Sequence, residues 1–311
     1  MMNTLPALHT GQPRVEFGRV SPIAELDIPF AIIEGSQPGP CLVITAGVHG
    51  SEFCAIEAAV RLMRTSPQEI KGTLLILPIL NVQGFHKRSI YVMPQDERNL
   101  NRMFPGKPDG TVSERLANWL VTNVYPLADT YIDLHGGDLD EALAPFTIFP
   151  AGCEKSRALA AVFGIPVAVA TGRAGNTIDA AYKVGVPSIL PEVGGNGLWG
   201  EATVTRMTDG IRRVMRHIGM VCDAPETVSQ EPFNVVTMWV PTAPRTGLWY
   251  ARKELTEPVA KGEPLGEIRN VFGEVLASVH SEKDGFILYR LTSLSVNEGE
   301  ALLGVGTPVA S

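Results

Sequence analysis

Two histidines and two glutamates stand where a hydrolytic metal site could be assembled. In His49-Gly50-Ser51-Glu52 an imidazole and a carboxylate lie three residues apart, where a buried apolar run gives way to a helical period. Residues three apart at a helix start project to one side, so both can meet one ion. Asp133-Leu134-His135-Gly136-Gly137 places a second histidine just after another apolar run. Two histidines and one carboxylate with an open fourth position make a catalytic-zinc ligand set. Pro191-Glu192-Val193-Gly194-Gly195 adds a carboxylate that no ligand position requires, so Glu192 is free to act as a base on activated water. Taken singly, each segment has a plainer reading: an HxxE is common by chance, a histidine after a strand is usually structural, and a glutamate before Gly-Gly is usually a loop acid. Their joint placement, each at a strand end with glycine beside it, favours the metal.

The stretch Asn81–Gly106, NVQGFHKRSIYVMPQDERNLNRMFPG, is too polar to form a core element. Its Arg88, Arg98 and Arg102 are available to anions, because a guanidinium grips a carboxylate with two parallel hydrogen bonds. Arg98, amid Asp96 and Glu97, suits ordinary surface pairing; Arg102 leads into the tight turn Met103-Phe104-Pro105-Gly106 and suits a placed residue better. Asp133 shares strand parity with His135 and could orient it. The acidic segment Gly137-Asp138-Leu139-Asp140-Glu141-Ala142 offers a rim that would select a substrate bearing an amine, although an exposed acidic loop is the commoner origin of such a run.

The elements that must position these residues follow from periodicity. Apolar runs of strand length occupy Cys41–Ala46, Thr73–Leu77, Tyr131–Leu134, Phe146–Phe149, Pro166–Ala170 and Ser188–Leu190. Helical spacing relates Phe53, Ile56, Val60 and Met63, and a capping box at Thr111-Val112-Ser113-Glu114 opens a second helix. Further helices are expected over Glu154–Phe163, Thr177–Val184 and Glu201–His217. Strands alternating with helices predict an α/β sheet covered on both faces, preceded by an irregular N-terminal stretch. The pattern changes after Asp223, where polar, proline-containing chain leads into short strands punctuated by charged-glycine turns. Two domains are expected, residues 1–225 and an all-β module over 226–311 whose layout resembles the barrel-sandwich module of biotinyl and lipoyl carriers, without their lysine attachment motif.

The bulk numbers exclude much else. With 45% apolar and 19% charged residues, the chain is no charge-rich disordered protein. A net charge of −7 gives no basic field for nucleic acid or an anionic membrane. No apolar run approaches the ~20 residues of a membrane span, and the N-terminus lacks the basic and apolar regions of a signal peptide. Cys41, Cys54, Cys153 and Cys222 form no CxxC pair and are expected to be buried thiols in a reducing cytoplasm. A small-molecule partner and a cytoplasmic location are expected, with neither nucleic acid nor membrane; a homo-oligomer is compatible with all of this.

In order along residues 40–220, HGSE, NLNRMFPG, DLHGG and PEVGG resemble the succinylglutamate desuccinylase/aspartoacylase family. The resemblance implies a zinc-carboxypeptidase-like mixed sheet flanked by helices, with a C-terminal β module. It implies one zinc per chain on His49, Glu52 and His135, with Glu192 as general acid/base in hydrolysis of an N-acyl amino acid. Asn101 and Arg102 match the pair that holds the substrate carboxylate. An upstream arginine polarises the scissile carbonyl in such enzymes, a place for Arg88 or Arg98, with Tyr91 and Arg173 as pocket contributors. Some members add a tyrosine from the C-terminal module, for which Tyr250 and Tyr289 are both available.

Three rival readings remain. One is a zinc carboxypeptidase acting on short peptides. A second is an NAD(P)-binding oxidoreductase, since Gly195-Asn196-Gly197-Leu198-Trp199-Gly200 satisfies GxGxxG with Asp223 downstream; the absence of further βαβ units counts against it. The third is a binding module with a vestigial metal site, opposed by the chemically competent residues in all four motifs.

Overall fold

Alternation within the buried strands decides how the molecule is layered. In Cys41–Ala46, the side chains of Leu42, Ile44 and Ala46 enter one apolar core while Cys41 and Val43 enter another. Thr73–Leu77 divides in the same way, with Leu74 and Ile76 opposite Leu75 and Leu77. A strand buried on both faces needs a cover on each. Helices Phe53–Leu62, Glu154–Phe163 and Glu201–His217 cover the first face, and Val112–Trp119 and Thr177–Lys183 the second. Along Glu201–His217, Val204, Met207, Ile211 and Val214 are fully buried at helical spacing. Each such side chain contributes about 1.5–3 kcal/mol.

The structure is a computed structural model describing residues 4–221 and 233–309. Its largest sheet has thirteen strands among the described residues. Four parallel neighbours, Thr73–Leu77, Cys41–Ala46, Thr130–Leu134 and Ser188–Glu192, form the centre. Beyond Ser188–Glu192 the sheet turns mixed: Phe146–Pro150 runs antiparallel to it, and Val167–Thr171 runs parallel to Phe146–Pro150. The expected helices and buried strands all form, with ends shifted by a residue or two. No described helix is long and apolar enough to cross a membrane. Cys41 and Cys54 are buried free thiols and Cys153 is half-buried, while Cys222 lies outside the described residues.

Two regions depart from expectation. The N-terminal stretch is not irregular: Arg14–Val20 and Ile28–Glu34 pair antiparallel and extend the sheet beyond Thr73–Leu77. Arg14–Val20 alternates between half-buried and exposed positions, as an edge strand should, but its half-buried face carries Arg14 and Glu16 and its exposed face Val15 and Phe17, so no apolar-inward rhythm marks it. The polar stretch Asn81–Gly106 also carries structure. It holds helix Val82–Lys87 and the small hairpin Val92–Met93/Arg98–Asn99, and it buries Met93, Leu100 and Phe104.

The C-terminal chain is all-β as far as it is described. Strand Asn234–Trp239 lies parallel to Val167–Thr171, so the large sheet continues across into this region through Leu303–Pro308 and Gly285–Leu291. A separate four-stranded antiparallel sheet, Val275–His280, Pro264–Arg269, Gly247–Ala251 and Ser295–Val296, shares a small core with it around Trp249, Ile268, Ile287 and Val305. The boundary expected at residues 225/226 lies outside the described residues. What positions the site is one pairing: Gly285–Leu291 is antiparallel to Glu141–Leu143, which follows the second histidine.

Candidate active site

The four parallel central strands end at the same edge of the sheet, where open α/β sheets place their ligands. His49 and Glu52 follow Cys41–Ala46, His135 follows Thr130–Leu134, Glu192 ends Ser188–Glu192, and Asn81 follows Thr73–Leu77. His135 and Glu192 are bridge partners on adjacent strands, with the His135 N–H donating to the Pro191 carbonyl at 3.0 Å. The turn before Glu52 passes beneath helix Val82–Lys87, and a Cβ at Gly50 would lie 2.2 Å from the Phe85 nitrogen. Only glycine permits that approach. Glu52 then occupies the N-cap of helix Phe53–Leu62 without capping it. A free N-cap side chain ordinarily accepts from the first-turn N–H groups; this one is turned toward the imidazoles instead.

Glu52 bridges the two histidines. Its Oε1 lies 2.6 Å from His49 Nδ1 and its Oε2 lies 3.0 Å from His135 Nδ1. One ligand atom from each of the three residues can be chosen so that all lie within 4.8 Å of one another, and all three are buried. The outer ring nitrogens are held by acceptors. His49 Nε2 meets Asn99 Oδ1 at 3.1 Å, and His135 Nε2 meets Asp133 Oδ2 at 2.9 Å. Asn99 Oδ1 also accepts from the Asn101 N–H at 2.9 Å, which fixes it as oxygen. Both Nε2 atoms therefore carry a ring proton, and both Nδ1 atoms are turned toward Glu52, where they are the nitrogens available to an ion.

Asp133 is fully buried and fully engaged. It accepts from Thr45 Oγ1 at 2.6 Å and from Thr177 Oγ1 at 2.5 Å besides His135. Burial opposes the charge on Glu52, but His135 and His49 hold its carboxyl down to about 2. Burial likewise opposes protonation of His135, yet Glu52 and Asp133 raise it well above the usual imidazole range. A positive charge is thus drawn to the centre of the trio even with protein groups alone. That is the demand a divalent cation would meet, and the donor set is the His2Glu set of catalytic zinc.

A second group of side chains surrounds this trio. Burial, chiefly, raises the Glu192 carboxyl well above its usual range; Glu52, Glu141 and Asp133 add to it and His135 opposes. The Arg102 charge is disfavoured by burial and by neighbouring Arg173, and supported by Tyr289, Tyr91 and Glu192. Both residues are nonetheless solvent-exposed and within electrostatic reach of each other, so an anion beside them would relieve their repulsion. The Tyr289 phenol is raised by burial and by Glu141 and Glu192, with Arg102 and Arg173 opposing. One tyrosine therefore feels both carboxylates and both arginines. Tyr91 sits edge-on to the His49 ring at 5.4 Å, and its hydroxyl donates to Glu141 Oε1. Its backbone is left-handed, φ 56°. Such a conformation costs about 1–2 kcal/mol in a residue with a Cβ. The Asp138 carboxylate helps hold it by accepting the Tyr91 N–H at 3.0 Å.

Comparison with known proteins places the whole chain. The model of the succinylglutamate desuccinylase/aspartoacylase catalytic domain matches residues 38–218. The chain belongs to that family. It is 29% identical over 301 residues to the N-alpha-acetyl-L-2,4-diaminobutyric acid deacetylase of Halomonas elongata, covering 91% of this chain and 86% of that one. A succinylglutamate desuccinylase/aspartoacylase structure from Rhodobacter sphaeroides superposes with TM-score 0.86 at 26% identity, covering 99% and 100% of the two chains. The product-bound ectoine utilization protein EutE (DoeB) of Ruegeria pomeroyi gives 0.85 at 25% identity over 98% of each.

The structure of this family member brings together His49, Glu52, His135, Glu192, Asn101 and Arg102, with Tyr91 and Arg173 beside them. Of the two tyrosines, Tyr289 enters the cleft; Tyr250 is 40% exposed and packs under Arg269. Exposure does not set Arg88 and Arg98 apart, since Arg102 and Arg173 are exposed too, but among the described residues neither makes a side-chain hydrogen bond or ion pair with this group. Arg88 is exposed in the left-handed cap of helix Val82–Lys87, and Arg98 is exposed and lends its charge to Glu114. The acidic segment is no exposed loop: Asp138 is fully buried and holds Ser51 Oγ, and Glu141 faces the cleft. The Gly195–Gly200 loop is committed elsewhere than to a nucleotide, because a Cβ at Gly195 would lie 2.3 Å from the Glu141 carbonyl oxygen. Its downstream Asp223 lies outside the described residues.

Sequence reasoning passed over Asn99, Thr177 and Thr45. Asn99 was legible, two residues before Asn101 in the same NLNR segment. Thr177 was not. Its N–H donates to Asn101 Oδ1 at 3.0 Å while its hydroxyl reaches Asp133, and only the folded sheet joins those three.

Proposed function

We propose that this protein is a zinc-dependent hydrolase that cleaves the amide bond of an N-acyl amino acid. The observation that carries it is a buried His-Glu-His donor set sharing one cleft with an unpaired glutamate and two adjacent guanidiniums. A zinc ion on His49, Glu52 and His135 would supply a Lewis acid and make water acidic enough to lose a proton near neutral pH. Glu192 takes that proton on its carboxylate and returns it to the departing amine nitrogen. Its raised proton affinity suits both halves of that exchange. Arg102 and Arg173 hold the substrate carboxylate, relieving their mutual repulsion. Asn101 has its Oδ1 committed to Thr177 and presents its Nδ2 as a donor beside them. The Tyr289 phenol, kept neutral by burial, donates a hydrogen bond from the facing wall.

The names of the relatives support the reaction class, since the curated one is a deacetylase of an N-acetylated diamino acid. The carboxypeptidase reading shares the donor set and the arginines. Strand Gly285–Leu291 bringing Tyr289 beside Arg102 supports the smaller substrate. Elemental analysis of protein purified without added metal is expected to find about one zinc per chain. The isosteric Glu192→Gln variant should keep that zinc while losing roughly 10²–10⁴-fold in kcat on N-acyl amino acids. Protein without zinc, or a variant with near-wild-type turnover, would refute the reading.

A further inference from the structure

Attack on an amide carbonyl puts negative charge on its oxygen, and a donor aimed at that oxygen is usually the largest single contribution a protein makes to the rate. The family resemblance assigns that place to an arginine. Neither Arg88 nor Arg98 bonds to a member of the cleft among the described residues, and Arg98 lends its charge to Glu114 instead. The polar side chain set against the ligand trio is Tyr91. Its ring meets the His49 ring edge-on, with centroids 5.4 Å apart, and its hydroxyl donates to Glu141 Oε1. Arg102, Arg173 and Tyr289 stand together at the end that takes the substrate carboxylate.

Tyr91 is also held in place. Its left-handed backbone, φ 56°, is uncommon in a residue with a Cβ and persists where the surroundings fix it. Asp138, fully buried, does the fixing: Oδ2 accepts the Tyr91 N–H at 3.0 Å, and Oδ1 holds Ser51 Oγ. Ser51 precedes Glu52 in the chain, and its Oγ also lies 2.9 Å from the Ser89 carbonyl oxygen. The loop that carries Tyr91 is thus tied to the turn that carries a ligand. Glu141 holds the phenol at its other end; its Oε2 accepts the Asp138 N–H at 3.3 Å, and it forms no ion pair with a lysine or arginine among the described residues.

We propose that Tyr91 is a catalytic residue whose hydroxyl donates a hydrogen bond to the scissile carbonyl oxygen, in place of the arginine. This rests on the deacylase reading above. As the water oxygen bonds to the carbonyl carbon, the C=O electron pair moves onto oxygen, where the phenol O–H meets it without giving up its proton. The pair returns when the C–N bond breaks and the amine leaves with the proton from Glu192. A phenol is protonated at neutral pH, and its O–H can turn about the C–O bond. The proton now given to Glu141 can therefore be redirected to an arriving oxygen. A neutral donor also keeps a third positive charge away from Arg102 and Arg173, which already oppose each other.

Zinc-loaded Tyr91→Phe, which keeps the ring against His49, isolates the hydroxyl. N-acetyl-aspartate, N-acetyl-glutamate and Nα-acetyl-2,4-diaminobutyrate serve as substrates. On whichever the wild-type protein cleaves best, kcat should fall roughly 10²–10³-fold, the usual cost of one such donor, with KM and zinc content unchanged. Calorimetry gives a reading apart from turnover. The corresponding N-methylphosphonyl amino acids carry charged P–O oxygens where the reaction develops charge. They should bind the variant about 10²-fold more weakly than wild-type protein, while the free amino acids bind both alike. Unchanged kcat, or equal losses of affinity for analogue and free amino acid, would overturn the assignment. A Tyr91-dependent preference for an analogue, in a protein that hydrolyses none of the three substrates, would keep the tyrosine and sink the deacylase. Hydrolysis with kcat indifferent to the hydroxyl would do the reverse.

Discussion

The two halves of the cleft are built on opposite principles. The metal half is buried and closed: His49, His135, Glu52 and Asp133 satisfy one another, and each comes from the end of one of two adjacent parallel strands or the turn after it. The substrate half is open and unbalanced. Arg102 and Arg173 repel, Glu141 lacks a cation, and its members come from a 3₁₀ turn, a loop, the short strand Glu141–Leu143 and the distant strand Gly285–Leu291. A closed set with a surplus of negative charge is ready for an ion that stays. An open set with unpaired charges of both signs is ready for a ligand that comes and goes. Substitutions in the two halves should therefore fail in different ways.

The largest effect is expected from His49→Ala. Removing one of three donors should abolish zinc retention and hydrolysis together, and it should lower the unfolding temperature, because an ion that binds only the folded chain stabilises it. Zinc content by elemental analysis, with a thermal melt before and after chelation, checks this. Unchanged metal content would end the ligand assignment. Arg102→Ala comes next. It should cost roughly 10²-fold in kcat/KM on substrates with a free carboxylate, leave zinc content alone, and matter little for an amide lacking that carboxylate. If zinc were lost from this variant as well, the halves would not be separate.

This division also marks what the sequence made legible. The metal half could be read because every member sits in a short segment at a strand end, with period-2 alternation already putting Asp133 and His135 on one face. The central strands and helices were legible for the same reason, their apolar spacing being unbroken. The edge strand of the N-terminal hairpin was missed because its polar Arg14 and Glu16 take the half-buried face and its apolar Val15 and Phe17 the exposed one, the reverse of the usual signal. In the substrate half, Arg102 announced itself through its turn. Tyr289 could not be told from Tyr250, since which of the two faces the cleft is set by the pairing of Gly285–Leu291 with Glu141–Leu143. No local pattern encodes that pairing.

Asp133→Ala probes the closed half at one remove. It strips the acceptor from His135 Nε2 and leaves two buried threonine hydroxyls without their partner. Zinc affinity should fall by about 10–100-fold, the usual cost of losing an orienting partner of a ligand, with KM for the substrate little changed at saturating zinc. A competitive chelator titration reads the affinity. A drop in kcat/KM at saturating zinc as large as that of Arg102→Ala would show that Asp133 serves the substrate directly.

The smallest effect is the sharpest, because Thr177 touches both halves with different atoms. Its hydroxyl serves the metal half through Asp133, and its backbone N–H serves the substrate half through Asn101. Thr177→Val keeps the shape and the N–H and removes only the hydroxyl. A hydrogen bond of this kind is worth about 0.5–1.5 kcal/mol, more when its charged partner is left short of donors. Zinc affinity should therefore weaken by roughly 3–10-fold while KM stays where it was. A matching rise in KM would mean that the start of helix Thr177–Lys183 shifts as one piece and carries Asn101 with it. The two halves would then be mechanically coupled through a single turn, and the closed set would be part of what holds the open one in place.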